Sequence, residues 1–180
     1  MIPTERLLLR SWRPADRIPF FDLCQSQAVM ACLGGPASME DVDASIARVQ
    51  ACEEKNGFCF WAIERRDDTA FLGFCGLKIA DLADAPVAGE IEIGWRLREE
   101  DWGQGYAREA AQATLRWAWA RLEAPRVIAM TVPANRRSWG LMERIGMRRR
   151  TELDFDHPLF PDSHPLRRHI VYAAERPTGM

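Results

Sequence analysis

The run Thr4 to Trp12 sets three leucines, Leu7-Leu-Leu9, between polar residues and predicts an opening strand that Arg13-Pro14 closes. A mixed helical region follows to about Cys32, and Gly34-Gly35-Pro36 breaks it. Ser38-Met-Glu-Asp41 has the pattern of a capping box. Ile46, Val49 and Cys52 then give that helix an apolar face, and Asn56-Gly57 ends it. Phe58 to Glu64 and Phe71 to Leu77 read as strands joined in a hairpin by the polar turn Arg66-Asp67-Asp68-Thr69.

A loop at Asp81 to Gly89, containing Pro86, leads to a strand from Glu90 to Leu97. Between Gly105 and Leu122 the apolar positions Ala107, Ala111, Leu115, Ala118, Trp119 and Leu122 recur at helical spacing until Pro125 forces an end. Arg126 to Val132 is a short buried strand, so strand, helix and strand form a βαβ unit whose two strands should run parallel. Asn135 caps a helix to Ile145, Gly146 supplies its exit, and a strand from Met147 pairs with a last strand from Arg168 to Ala174. Asp154 to Pro165, polar and proline-bearing, reads as a surface loop. The order is strand, two helices, three strands, helix, strand, helix, two strands.

With 180 residues, 47% hydrophobic and 28% charged, the chain has the composition of one domain, 1–180, around one core. A formal charge of −2 gives no general attraction to nucleic acid or to an anionic membrane. Cys24, Cys32, Cys52, Cys59 and Cys75 are odd in number and contain no Cys-x-x-Cys, which argues for reduced thiols and a cytoplasmic protein. The N-terminus carries no basic start or apolar run of a secretion signal. His157, His164 and His169 lack metal-ligand spacing, so no metal is expected.

The richest chemistry lies where the strand ending at Leu97 turns into the helix after Gly105. Gly103 and Gly105 let the backbone bend sharply against a ligand, and the helix start adds free amides and the positive end of its dipole, a combination suited to phosphates. A dinucleotide fingerprint would need a small residue where Arg108 stands, and a triphosphatase loop would need Gly-Lys-Ser or Gly-Lys-Thr.

Trp102-Gly-Gln-Gly-Tyr-Ala107 resembles instead the CoA pyrophosphate loop of the GNAT superfamily of acyltransferases, Gln/Arg-x-x-Gly-x-Gly/Ala. Trp102 departs from the first position, as in the RimJ/RimL-type branch of N-terminal acetyltransferases, where a Glu-Ile-Gly-Tyr/Trp strand precedes a Trp-Gly-x-Gly-Tyr-Ala loop. Leu8 to Trp12, the Asn135-Arg-Arg-Ser138 helix running to Met147, and the His157 to Tyr172 ending extend the resemblance over nearly the whole chain.

The resemblance implies an α+β GNAT fold, a mixed sheet of about seven strands flanked by about four helices. It also implies acetyl-CoA as cosubstrate, without a metal, and direct attack by a primary amine in a ternary complex. The acceptor so implied is a protein N-terminal amine. A small-molecule amine and a non-catalytic acyl-CoA-binding module are the alternatives. The amides of Trp102, Gly103, Gln104, Gly105, Tyr106 and Ala107 would bind pyrophosphate, the backbone of Trp95, Arg96 and Leu97 the pantetheine arm, and Asn135 would also touch CoA. Glu92 would serve as general base with Glu90 as helper, and Ser138 would protonate the leaving thiolate.

Overall fold

The computed structural model describes residues 1–178. Its first strands, β1 (Ile2–Pro3) and β2 (Leu7–Arg10), are separated by a turn in which Thr4 Oγ1 both donates to the carbonyl of Leu7 and accepts its N–H. That turn shortens the expected opening strand. A 3-10 turn at Pro14–Asp16 leads to α1 (Arg17–Gln25) and α2 (Gln27–Met30).

Helix α3 (Met39–Asn56) starts at the expected capping box: Ser38 Oγ accepts from the N–H of Asp41, and Asp41 accepts from that of Ser38. It ends at Gly57 in the left-handed region. Strands β3 (Phe60–Arg65) and β4 (Phe71–Ile79) form the predicted hairpin, and β4 pairs in turn with β5 (Ile91–Leu97). Helix α4 (Tyr106–Arg121), β6 (Arg126–Thr131) and α5 (Arg136–Arg144) follow, then β7 (Arg148–Arg149), β8 (Phe155–Asp156) and β9 (Arg168–Glu175).

The sheet order is β1-β2-β3-β4-β5-β6-β9-β7, with β8 pairing β9. Among the described residues nine strands and five α-helices stand where seven and four were expected. The extra strands, β1 and β8, are two residues long, too short for an alternation to announce them, and β8 lies inside the expected 154–165 loop. The mixed region before Cys32 divides into α1 and α2 at Ser26, whose hydroxyl accepts from the N–H of Val29 and restarts the helix.

Both faces of the sheet are covered. Helix α4 presents small residues, Ala110, Ala111, Ala113 and Ala118, that let it lie close on Leu77 and Ile93 in one core. On the other face α1 and α3 pack Phe20, Leu23 and Val42 over Trp12, Ala62 and Phe71. A third cluster joins Ala85 and Val87 of the loop after β4 to Ile128, Phe155 and Val171. A buried ion cluster anchors the start of α1 to the sheet. Arg10 donates to Asp16 at 2.8 Å through two nitrogens and to Glu64 at 2.6 Å.

Strands β5 and β6 are parallel, as the βαβ reading requires, yet they share only the bridge Glu92↔Ile128. Beyond it they separate, leaving the facing edges from Ile93 to Leu97 and from Ala129 to Thr131 unpaired with one another. Among the described residues no helix is long and apolar enough to cross a membrane.

Candidate active site

The opening between β5 and β6 is flanked by the glycine turn. Gly103 and Gly105 have φ of 77° and 84°, a region that residues with a Cβ adopt at a cost of about 1–2 kcal/mol. The first helical hydrogen bond of α4 runs from the N–H of Glu109 to the carbonyl of Gly105. The N–H groups of Tyr106, Ala107 and Arg108 therefore precede the helix ladder. Those of Gly103, Gln104 and Gly105 have no acceptor among the described residues. All six point to one need, an anion with several oxygens.

Trp102 is held apart from this cradle: its backbone N–H, expected among the pyrophosphate donors, donates to the carbonyl of Glu99 at 3.1 Å, and Arg108 takes its place in the set. Its indole N–H donates to the carbonyl of Leu97 at 3.0 Å, and the Arg137 guanidinium lies 4.5 Å above its ring. Trp102 thus stitches the end of β5 to α5. Arg98, just before the turn, is engaged by Asp101 at 2.7 Å, whereas Arg108 is exposed beside the loop.

Alternation along β5 puts Glu92, Gly94 and Arg96 on one face and Ile93, Trp95 and Leu97 on the other. The first set faces the α1/α3 side, where a Cβ on Gly94 would lie 2.9 Å from the Phe60 ring. Phe60 and Phe74 stack there, with centroids 5.3 Å apart, as a partly exposed apolar floor between Glu92 and Arg96.

Glu92 is the most perturbed group on this floor. Its side chain is 12% exposed, its Oε2 has no hydrogen-bond partner, and Lys78 Nζ stands 3.5 Å away. Burial raises its pKa above the ordinary carboxylate value, against the opposing pull of the Lys78 ammonium. Lys78 is its direct cross-strand neighbour and is itself tied to Asp81 at 2.9 Å. The alternative that Glu92 sits on a solvated sheet face does not hold.

Glu90 differs from expectation. Strand β5 begins one residue after it, and its Oε1 accepts from Arg126 Nη2 at 2.5 Å and Nε at 3.2 Å. The turn before the strand takes Glu90 out of the alternation that would have aligned it with Glu92.

Asn135 caps α5: its Oδ1 accepts from the N–H of Ser138 at 3.2 Å while its Nδ2 donates to Thr131 Oγ1 at 3.0 Å. Both ends of the amide are occupied. The Ser138 hydroxyl, by contrast, has no protein partner among the described residues, although it sits in the first turn where serine often bonds backbone.

Two site residues escaped sequence reasoning. Lys78 could have been found by counting the β4–β5 register from the intervening loop. The Arg96 side chain, as distinct from its backbone, shares the period-2 face of Glu92 and turns away from the β5–β6 opening.

A family model described as an acetyltransferase (GNAT) domain matches residues 6–148. The crystal structure of an acetyltransferase from Agrobacterium tumefaciens str. C58 superimposes with a TM-score of 0.78 at 30% identity, covering 97% of this chain and 93% of that one. The uncharacterized N-acetyltransferase YoaA of Bacillus subtilis (strain 168) is 28% identical over 153 residues, 83% of this chain and 83% of its own length. RimL, the ribosomal L7/L12 alpha-N-protein acetyltransferase solved in complex with coenzyme A, is similar in fold, with a TM-score of 0.76 at 17% identity over 97% of each chain. The parted strands, the amide-lined turn and the matched family model converge: this chain belongs to the GNAT family and is an acetyl-CoA-dependent N-acetyltransferase.

Proposed function

We propose that the protein moves an acetyl group from acetyl-CoA to a primary amine by direct attack in a ternary complex. The observation that carries this reading is the Glu92 carboxylate, whose buried Oε2 lacks a hydrogen-bond partner, at the last bridge before β5 and β6 part. The six free amides from Gly103 to Arg108 would grip the pyrophosphate. The pantetheine arm would enter between the strands along the backbone of Trp95, Arg96 and Leu97, close to the Asn135 cap.

In the reaction, the acceptor nitrogen attacks the thioester carbon and forms the amide bond as the carbon–sulfur bond breaks. Glu92 first receives one proton of the acceptor ammonium, directly or through one water, and the Ser138 hydroxyl donates to the departing thiolate while recovering the proton that the new amide nitrogen sheds. Glu90, held by Arg126, is given no part in the proton path. Proximity would supply much of the rate, with CoA held by backbone of rigid elements and the acceptor beside Glu92.

The RimJ/RimL-type resemblance points to a protein N-terminal amine as acceptor. A small amine is the second reading, and a specific feature favours it: the α1/α3 side holds an open cavity of about 320 Å³, lined in part by the Gly34-Gly35 turn. Thiol release from acetyl-CoA, measured with peptides bearing free N-termini and with small amines, tests the reading. Saturable release with either class supports acetyl transfer. Acetyl-CoA binding with no release above the uncatalysed rate for any acceptor would leave only the acyl-CoA-binding module.

A further inference from the structure

Arg96 stands at the far end of the groove floor from Glu92 and lines the 320 Å³ cavity. Its guanidinium carbon lies 5.4 Å from the Phe74 ring centroid and 6.0 Å from that of Phe20, and Nη1 donates to Cys24 Sγ at 3.5 Å. Among the described residues no carboxylate pairs with it. Asp41 lines the same cavity, but its carboxylate is bound by the Ser38 hydroxyl at 2.6 Å and the Ser38 N–H at 3.0 Å.

A partly buried cation whose only hydrogen-bond acceptor is a thiol is costly to keep. Burial pulls its pKa downward, with the cysteine pulling weakly the other way. The aromatic rings supply some cation–π attraction, yet they leave most of the five N–H donors of the fork unmatched. The missing partner has a definite chemistry: planar, monoanionic and able to accept two parallel hydrogen bonds. A phosphate dianion would call for more positive charge than this one guanidinium provides.

We propose that Arg96 binds a carboxylate of the acetyl acceptor, so that the acceptor is a small amino acid or short peptide with its amine at Glu92 and its carboxylate at Arg96. This deepens the small-amine reading above and rests on it. The Cα atoms of the two residues are four positions apart on one strand, about 13 Å at strand rise. The reach of the two side chains shortens that span, so compounds with amine and carboxylate several bonds apart fit best. The apolar floor of Phe60 and Phe74 would carry the intervening carbons.

The test compares matched pairs: ω-amino acids of increasing length and dialanine, each against its own amide, with thiol release followed at saturating acetyl-CoA. The expected result is a preference for the carboxylate of about 10- to 100-fold in kcat/KM, expressed mainly in KM. Arg96→Gln should bring each carboxylate down to the level of its amide, and Arg96→Lys should restore part of the preference.

Equal kcat/KM within every pair, or an Arg96→Gln loss shared equally by carboxylate and amide, overturns the assignment and leaves acetyl transfer standing. If no acceptor is turned over, acetyl transfer itself fails. Calorimetry of the same pairs on the enzyme–CoA complex then judges the anion site, and equal affinities would refute it. The wild-type comparison needs no variant, so a folding defect in Arg96→Gln leaves the test intact.

Discussion

Replacing Glu92 with glutamine keeps the shape of the side chain and removes its charge. At 3.5 Å and an effective dielectric of about 20, the Lys78 ammonium attracts the carboxylate by about 5 kcal/mol. Burial nevertheless prevails and holds the proton affinity above the ordinary value. A carboxylate tuned upward in this way is a better proton acceptor near neutral pH. Its loss should lower kcat/KM by about 100- to 10,000-fold, the usual range for a positioned general base. Acetyl-CoA affinity should change by no more than about twofold, because the phosphate cradle is built from separate backbone.

The pH dependence follows from the sign of the shift. With the folded pKa raised above the unfolded one, Glu92 favours the folded state at low pH, and that contribution is lost as pH rises through the folded pKa. Wherever Glu92 is ionised the wild-type protein therefore carries a destabilising buried charge, and Lys78 keeps Asp81 as a partner when that charge is removed. Glu92→Gln should thus gain in melting temperature over wild type as pH rises from 5 to 9, while turning over far more slowly. Its kcat/KM profile should also lose the acidic limb that reports carboxylate ionisation. Stopped thiol-release assays from pH 5 to 9 and calorimetric melting measure both. Unchanged kcat/KM with the acidic limb retained would remove Glu92 from the mechanism, and a melting-temperature difference that does not grow with pH would refute the claim that desolvation dominates.

Three further perturbations address other links. Gly105→Ala imposes a left-handed conformation on a residue with a Cβ and brings that atom 3.4 Å from Arg6 Nη2; a cost of about 1–2 kcal/mol should weaken acetyl-CoA binding roughly 5- to 30-fold by calorimetry, and wild-type affinity would argue against the amide cradle. Ser138→Ala removes a hydroxyl that has no partner among the described residues, so urea unfolding should shift by less than about 0.5 kcal/mol while kcat falls about tenfold or more; an unchanged kcat would dismiss Ser138 as the thiolate's proton donor. Arg10→Met strands the Asp16 carboxylate in the core and should cost about 3–5 kcal/mol in urea unfolding at constant slope; a loss under 1 kcal/mol would show that the cluster is far better solvated than its 4% and 3% side-chain exposures indicate.

What could be foreseen in the chain divides along a physical line. Local signals carried the elements whose ends are set by their own residues. The Ser38 box, Gly57, Gly105 and the Asn135 cap each determine a helix end through nearby backbone geometry, and each stands where expected. The parallel pairing of β5 and β6 followed from connectivity alone. Glu90, Lys78 and Arg96 belong to a different kind of question. Glu90 fell outside the strand because a turn closes at that residue, with the N–H of Gly89 and the carbonyl of Glu90 both bonded to Ala80. Lys78 meets Glu92 because the ten residues from 81 to 90 form a folded loop that brings positions 78 and 92 opposite, a register that hydropathy does not encode. The period-2 rule puts Arg96 with Glu92, but only the tertiary placement of α1 and α3 shows that Arg96 lines a cavity and lacks a counterion among the described residues. The conformation of the loop was legible because its glycines set it. Chemistry of the acceptor was not, because it depends on which charges folding leaves unpaired.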